Sequence, residues 1–281
     1  MLENWIKPQI PEEEELDERL HAARSKLSVL QMQIKERGLP VLVLFEGWGT
    51  AGKGSVLGKV IKNIDPRFFK VATMDEPTEE ERRKPFLYRY FVKIPAKGKL
   101  EFLDSGWMDE VVKDVLHDNI GEKEYKKKIE SVKRFERQLT DNGYLVMKFF
   151  FQISRKEQKK RIEVLKENKD TRWRVSGDED WQNKHYDKCM HVFDRYLNDT
   201  NSPADPWYIV DAKNRKWAEL QVLETLVSGI ETALKNSNLA VPLLQNVFPL
   251  EKIPKLSEIS LDKELSEEEY KKEQFQICSL S

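Results

Sequence analysis

The strongest chemical signal in the chain is the run Gly47-Trp48-Gly49-Thr50-Ala51-Gly52-Lys53-Gly54-Ser55. Glycines at this spacing let backbone N–H groups approach phosphate oxygens, and Lys53 adds a mobile positive charge for the terminal phosphates of a bound chain. Gly54 stands where such loops usually carry Ser or Thr, so Ser55 presents its hydroxyl one place later. Gly47, Gly49, Thr50, Ala51, Gly52, Lys53, Gly54 and Ser55 are thus the candidate phosphate-binding residues. A bare glycine-rich turn is the competing reading. The second signal is Asp104, which closes the apolar run Leu100-Glu101-Phe102-Leu103. A carboxylate at the C-terminal edge of a strand beside a phosphate loop is placed to hold a divalent cation. A helix N-cap ahead of Ser105-Gly106-Trp107 would explain it equally simply. The third signal is cationic. Lys156, Lys159, Lys160 and Arg161 open one helical stretch, and Arg172 and Arg174 bracket Trp173. Cations on a segment that closes over a polyanion replace the water it loses, although a solvated face accounts for the lysines as well. Arg82, Arg83 and Arg89 follow Glu76-Pro77-Thr78 and face either a phosphate group or Glu79 to Glu81.

Such residues need a frame. Val41-Leu42-Val43-Leu44-Phe45 is short, continuously apolar and partly β-branched, as in a strand covered on both faces. The glycine-rich run follows it, and Ser55 to Ile64 reads as a helix. That strand–loop–helix context makes the phosphate reading structural. Upstream, Leu16, Leu20, Ala23, Leu27 and Leu30 recur at helical spacing, so residues 12–38 form one long amphipathic helix that Gly38-Leu39-Pro40 ends. Downstream, strands are expected at Lys70 to Met74, Leu100 to Asp104, Tyr144 to Ile153 and Trp207 to Val210. Helices are expected at Glu79 to Val92, with Thr78 and Glu81 as a capping box, and at Glu122 to Asp141, Lys156 to Glu167, Trp181 to Leu197 and Trp217 to Ala233. Alternation of strand and helix implies a doubly wound parallel α/β sheet. Residues 155–205 place two helices where one would connect the strands, which suggests a lid. Trp173, Trp181, Trp207 and Trp217 read as packing anchors, and Cys189 as a helical core thiol.

Composition excludes several classes. Lys and Arg total 48 and Asp and Glu 49 of 281 residues, a net charge of -1. The chain as a whole is no basic nucleic-acid arm, so any phosphate site is local. No apolar run approaches the ~20 residues of a membrane span, and the acidic N-terminus lacks a signal core. Two cysteines make no disulfide framework, and four histidines without clustered cysteines argue against zinc. A cytoplasmic protein with no nucleic-acid or membrane partner is expected.

Taken together, these motifs resemble the polyphosphate kinase 2 family. The resemblance rests on the loop, Asn63-Ile64-Asp65-Pro66-Arg67, Glu76-Pro77-Thr78-Glu79-Glu80-Glu81, Arg89-Tyr90, Arg134-Phe135-Glu136-Arg137-Gln138-Leu139, Thr171-Arg172-Trp173-Arg174-Val175 and Asp205-Pro206-Trp207-Tyr208-Ile209-Val210. These lie between about residues 20 and 235. It implies an α/β, P-loop kinase-like parallel five-stranded sheet flanked by helices, with a helical lid insertion at about residues 155–205. That domain would span residues 1–237, with a linker-like tail at residues 238–281. It also implies phosphoryl transfer between inorganic polyphosphate and a nucleoside mono- or diphosphate (AMP, ADP or GDP) with Mg2+. On this resemblance Lys53, Asp104 and Arg172 are catalytic, Asp104 is the metal ligand, and Arg89 and Arg174 join the phosphate- and nucleotide-binding set. A homo-oligomer is expected.

Two positions depart from the family pattern. Active members carry an acidic residue where Gly49 stands, and Asp-Arg-Ser-Trp-Tyr where this chain reads Asp104-Ser105-Gly106-Trp107-Met108. The pattern is closer to the N-terminal half of two-domain polyphosphate:AMP phosphotransferases, and Leu261 to Tyr270 resembles the linker between the halves, which implies that a second half is missing here. Two functions follow: a phosphotransferase, or a catalytically degenerate phosphate-binding pseudokinase or scaffold module that lacks the loop aspartate and the arginine after Asp104.

Overall fold

The computed structural model describes residues 1–74, 76–236 and 266–267. All the elements below belong to the first of the chain's two units, Met1–Ala240. The tail expected at residues 238–281 lies outside the described residues, apart from 266 and 267.

Five strands form one parallel sheet: β1 (Val41–Gly47), β2 (Phe69–Thr73), β3 (Leu100–Asp104), β4 (Leu145–Gln152) and β5 (Trp207–Asp211), in the order β2-β3-β1-β4-β5. β1 is central because it is apolar on both faces. Side chains alternate across a strand, so Val41, Val43 and Phe45 enter one core cluster and Leu42 and Leu44 another. The first cluster joins the sheet to α1 (Glu13–Arg37), α2 (Lys53–Ile61) and α10 (Arg215–Asn236); the second joins it to α4 (Tyr88–Phe91), α5 (Trp107–Leu116) and α6 (Glu122–Asp141). Both faces are covered, as the continuous apolar strands require. The chain crosses to opposite sides of β1 after β3, so the crevice between the C-terminal ends of β1 and β3 is a topological switch point, where open α/β sheets bind ligands.

Three helical stretches differ from expectation. The span Glu79 to Val92 is two short helices, α3 (Glu79–Arg82) and α4. Pro85 lies between them, and proline offers no N–H and clashes with the preceding turn. The Thr78/Glu81 capping box is present. The span Trp181 to Leu197 is also two helices, α8 (Gly177–Lys184) and α9 (Tyr186–Thr200), parted at His185, whose Nδ1 lies 2.9 Å from the Trp181 carbonyl oxygen. α8 starts early because Ser176 and Glu179 form a second capping box. α5 had no counterpart in the expected elements. It buries Trp107, Met108, Val111, Val112 and Leu116, a helical spacing that follows directly on Ser105-Gly106. The insertion at residues 155–205 consists of α7 (Arg155–Glu167), a 3-10 turn (Arg172–Arg174), α8 and α9.

Candidate active site

The loop from β1 to α2 lies at the switch point. It turns sharply at Gly47 (φ 124°), where an added Cβ would sit 2.5 Å from the Phe151 carbonyl oxygen on the neighbouring strand β4. Only glycine permits that approach. Trp48 then anchors the loop in the core: its ring stacks on Tyr186 at 4.1 Å, and its Nε1 donates to Gln152 Oε1 at 2.7 Å. Gly52 (φ 94°) leads into α2 with no side-chain cap. The first amides of α2 therefore have no partner from the helix itself and add the positive field of a helix N-terminus.

Gly49, Thr50, Ala51, Gly52, Lys53, Gly54 and Ser55 line a cleft of about 690 Å³ together with Asp104 and Arg174. Strain marks the same place. Thr50 (φ 61°) and Ser105 (φ 67°), two of the three non-glycine residues with positive φ among those described, both line it. Such backbone persists only where its surroundings enforce it, and it concentrates at ligand sites. The Thr50 Oγ1 atom is buried without a hydrogen-bond partner among the described residues.

Lys53 Nζ donates back to Gly47 O at 3.2 Å and Trp48 O at 3.4 Å. Two opposing influences act on Asp104: burial pushes its pKa up, and the Lys53 ammonium pulls it down. A Cβ on Gly54 would lie 3.1 Å from Asp104 Oδ2, so the usual Ser or Thr at this position would press on the carboxylate. Glycine there lets Asp104 approach the head of α2.

Other candidates are placed apart. Gly47 shapes the turn but does not line the cleft. Arg172 is exposed and does not line the cleft, whereas Arg174, two residues on in the same 3-10 turn, does. Arg89 is buried in a second cleft of about 500 Å³, whose lining includes Arg82, Asp109, Glu110 and Lys113. The Arg89 guanidinium lies 4.0 Å from Glu81 and 3.9 Å from Glu110. Met74 and Ser105 line both clefts, which are therefore neighbours. Arg83 pairs with Glu79 at 3.0 Å. Lys156, Lys159 and Lys160 are exposed.

The sequence reading missed Thr73, Met74, Leu165, Glu179 and Arg215, which complete the first cleft. Thr73 and Met74 follow from the rule that ligands gather beyond strand C-termini. Nothing local marks Leu165 or Glu179. Trp173 is not a packing anchor: it is 75% exposed and lines the cleft, with the Arg174 guanidinium 5.2 Å from its ring centre.

A family model for polyphosphate kinase 2 matches residues 11–238. The chain belongs to the polyphosphate kinase 2 family. Among its relatives, a polyphosphate:AMP phosphotransferase of Pseudomonas aeruginosa is 29% identical over 258 residues, covering 89% of this chain and 51% of that protein. A GDP-polyphosphate phosphotransferase of Mycobacterium tuberculosis is 28% identical over 204 residues, 73% of this chain and 69% of that protein. The chain thus spans about half the length of the first of these relatives. The crystal structure of polyphosphate kinase 2 from Arthrobacter aurescens TC1 shares the fold, with a TM-score of 0.73 at 22% identity over 92% of this chain and 84% of that one.

Within this family the position of Gly49 has a structural explanation here. A Cβ would lie 2.6 Å from Glu179 Cγ and 3.1 Å from Gln182 Oε1, and the Gly49 N–H donates to Gln182 Oε1 at 3.0 Å. α8 fills the space that an acidic side chain at position 49 would need, and Glu179 itself lines the cleft. The donor set also suits a divalent cation shared with phosphate. No group of three or more His, Cys, Asp or Glu among the described residues forms an all-protein metal site. Asp104 offers one carboxylate beside the loop, and Mg2+ typically takes one or two carboxylates with the rest from phosphate and water.

Proposed function

We propose that this chain transfers a phosphoryl group between inorganic polyphosphate and a nucleoside mono- or diphosphate. The carrying observation is the cleft itself, where an uncapped helix N-terminus, the Lys53 ammonium and the Asp104 carboxylate converge on one strained loop. Phosphoryl transfer asks the protein mainly for positioning and charge neutralisation. The loop amides, Lys53 and Arg174 hold the phosphate chain. The acceptor nucleotide takes the neighbouring cleft, where Arg82 and Arg89 supply cations, and the two ligands meet at the wall formed by Met74 and Ser105. One phosphorus–oxygen bond of the polyphosphate breaks as one to the acceptor phosphate oxygen forms. Mg2+, held by Asp104 with phosphate oxygens, would neutralise charge on the transferring group. Within the insertion expected as a lid at about residues 155–205, residues 168–184 act as the lid, a reading supported by Trp173, Arg174 and Glu179 in the cleft wall. The reading includes a cytoplasmic location and self-association; light scattering on the purified chain tests the second.

The test is a coupled assay with polyphosphate, Mg2+ and, in separate reactions, AMP, ADP and GDP. The expected result is a phosphorylated product with at least one acceptor, and a fall of about 10²- to 10³-fold in Lys53→Ala. Thermal stabilisation by polyphosphate without turnover would establish a non-catalytic phosphate-binding module instead. The absence of both turnover and stabilisation would overturn the reading.

A further inference from the structure

The phosphate loop has a back as well as a front. Its carbonyl groups need partners as much as its amides do, since an unpaired buried C=O is destabilising. Gly47 O and Trp48 O take Lys53 Nζ. The next three carbonyls are taken by one face of α7. Gln158 Nε2 donates to Gly49 O at 3.3 Å. Arg161 Nη1 donates to Thr50 O at 3.2 Å and to Ala51 O at 2.8 Å. Arg161 does more: its Nη2 donates to Ala212 O at 2.7 Å and Lys213 O at 2.9 Å, in the turn between β5 and α10, and its Nε donates to Glu157 Oε1 at 2.8 Å.

A guanidinium has five N–H donors in a fixed planar fork, and every one is used here. Arg161 therefore has no donor left for a phosphate, although it is a cation on the insertion directly behind a phosphate loop. Its neighbours Lys156, Lys159 and Lys160 are exposed, whereas the Arg161 side chain is 11% exposed. Peptide planarity gives this anchoring a direction. In a trans peptide the C=O of one residue and the N–H of the next point opposite ways. Holding Gly49 O and Ala51 O toward α7 turns the N–H groups of Thr50 and Gly52 away from it, to the cleft side. The second anchor, at Ala212 and Lys213, lies just before Arg215, which lines the same cleft.

We propose that Arg161 is a positioning residue: by holding the carbonyls of Thr50, Ala51, Ala212 and Lys213 together, it sets the loop amides and Arg215 in one fixed arrangement around the phosphate chain. The identity of the ligand rests on the function proposed above; the anchoring of the loop does not. On this account α7 moves with the sheet, not with a lid. A lysine cannot take over, because one ammonium with three donors cannot span four carbonyls on two segments.

The test compares wild type with Arg161→Lys, Arg161→Ala and, as a control on the exposed side of α7, Lys159→Ala. Hydrogen exchange is followed at residues 47–55 and, as an internal reference, at residues 125–139 of α6. Binding of long-chain inorganic polyphosphate is measured by calorimetry. Arg161→Lys is expected to speed exchange at residues 47–55 while leaving 125–139 unchanged, and to weaken polyphosphate binding by about 10- to 100-fold. Millimolar guanidinium should restore part of the loss in Arg161→Ala, and Lys159→Ala should match wild type in both measurements. If Arg161→Ala does not fold, Arg161→Lys carries the test. Wild-type exchange at residues 47–55 in Arg161→Lys overturns the proposal. So does a rise spread evenly over both segments, which would reduce Arg161 to ordinary packing. If wild type itself does not bind polyphosphate, the functional reading fails, and the exchange comparison alone decides on Arg161.

Discussion

Two lysines in this molecule sit beside carboxylates, with opposite consequences. Lys148, on β4, is fully buried. It donates to Glu136 Oε2 at 2.9 Å, Thr200 O at 3.0 Å and Asp205 Oδ2 at 3.1 Å. The second Glu136 oxygen takes Trp107 Nε1 at 2.9 Å, and Asp205 takes Ser202 Oγ. Three donors meet three acceptors, and burial, with the nearby Asp205 charge, pushes the Glu136 pKa from the ordinary 4.5 up to about 8, so one ammonium answers one ionised carboxylate inside the protein at neutral pH. Among the described residues Lys53 makes two long contacts to carbonyls, and it faces an open cleft with Asp104. The residue types are the same; completeness differs. A saturated cluster fixes structure, here joining α5, α6, β4 and the α9–β5 connection. An unsaturated one is available to a ligand.

That contrast can be broken experimentally. The largest effect is expected in Lys148→Met, which strands Glu136 and Asp205 without their cation. A loss of about 3–5 kcal/mol of stability should follow, read by denaturant unfolding, while the folded fraction keeps near-normal polyphosphate affinity. A stable Lys148→Met would mean that the cluster is not a structural one. Lys53→Ala should do the reverse, leaving stability within about 0.5 kcal/mol of wild type while turnover falls as stated above. A matching drop in melting temperature would erase the distinction.

Glu46 gives an intermediate case. It is the penultimate residue of β1, is buried, and accepts the Gly106 N–H at 2.8 Å, tying the loop strand to the start of α5. Burial, with the nearby Asp109 charge, pushes its pKa from the ordinary 4.5 up to about 8. The folded state therefore holds this proton more tightly than the unfolded chain. The associated stability is fully present below about pH 4.5 and is lost as pH rises through about 8. Glu46→Gln should flatten the fall in melting temperature between about pH 5 and about pH 8, measured against wild type. An unchanged slope would assign the pH dependence to other groups.

The smallest effects separate two arginines. Arg174→Ala should weaken polyphosphate binding by up to about tenfold, because an exposed cation contributes little more than that, and Arg172→Ala by less. The reverse order would mean that the turn rearranges around its ligand.

The sheet was legible because its strands are short and mostly apolar runs: Leu100 to Asp104 is the observed β3, and β1 and β4 differ from expectation only at their ends. The helices were legible where one stripe was apolar, as in α1 and α6. α5 was lost because Ser105-Gly106 reads as a turn and hides the spacing of Trp107, Val111 and Leu116 behind it. The break at Pro85 and the capping box at Ser176 were both available in the sequence and outweighed by a longer periodicity. The phosphate loop was legible because its chemistry is local. The remaining wall was not, because topology brings Thr73, Glu179 and Arg215 together from separate elements. Charge alone could not distinguish Arg161 from the lysines around it; burial does.

Trp173 has a practical consequence. Its indole stands in water at the mouth of the cleft, while those of Trp48 and Trp107 are wholly enclosed. A ligand that covers this ring moves it to a less polar medium, so its fluorescence should shift to shorter wavelength. The protein carries a native optical reporter of occupancy, one that needs no dye and no turnover.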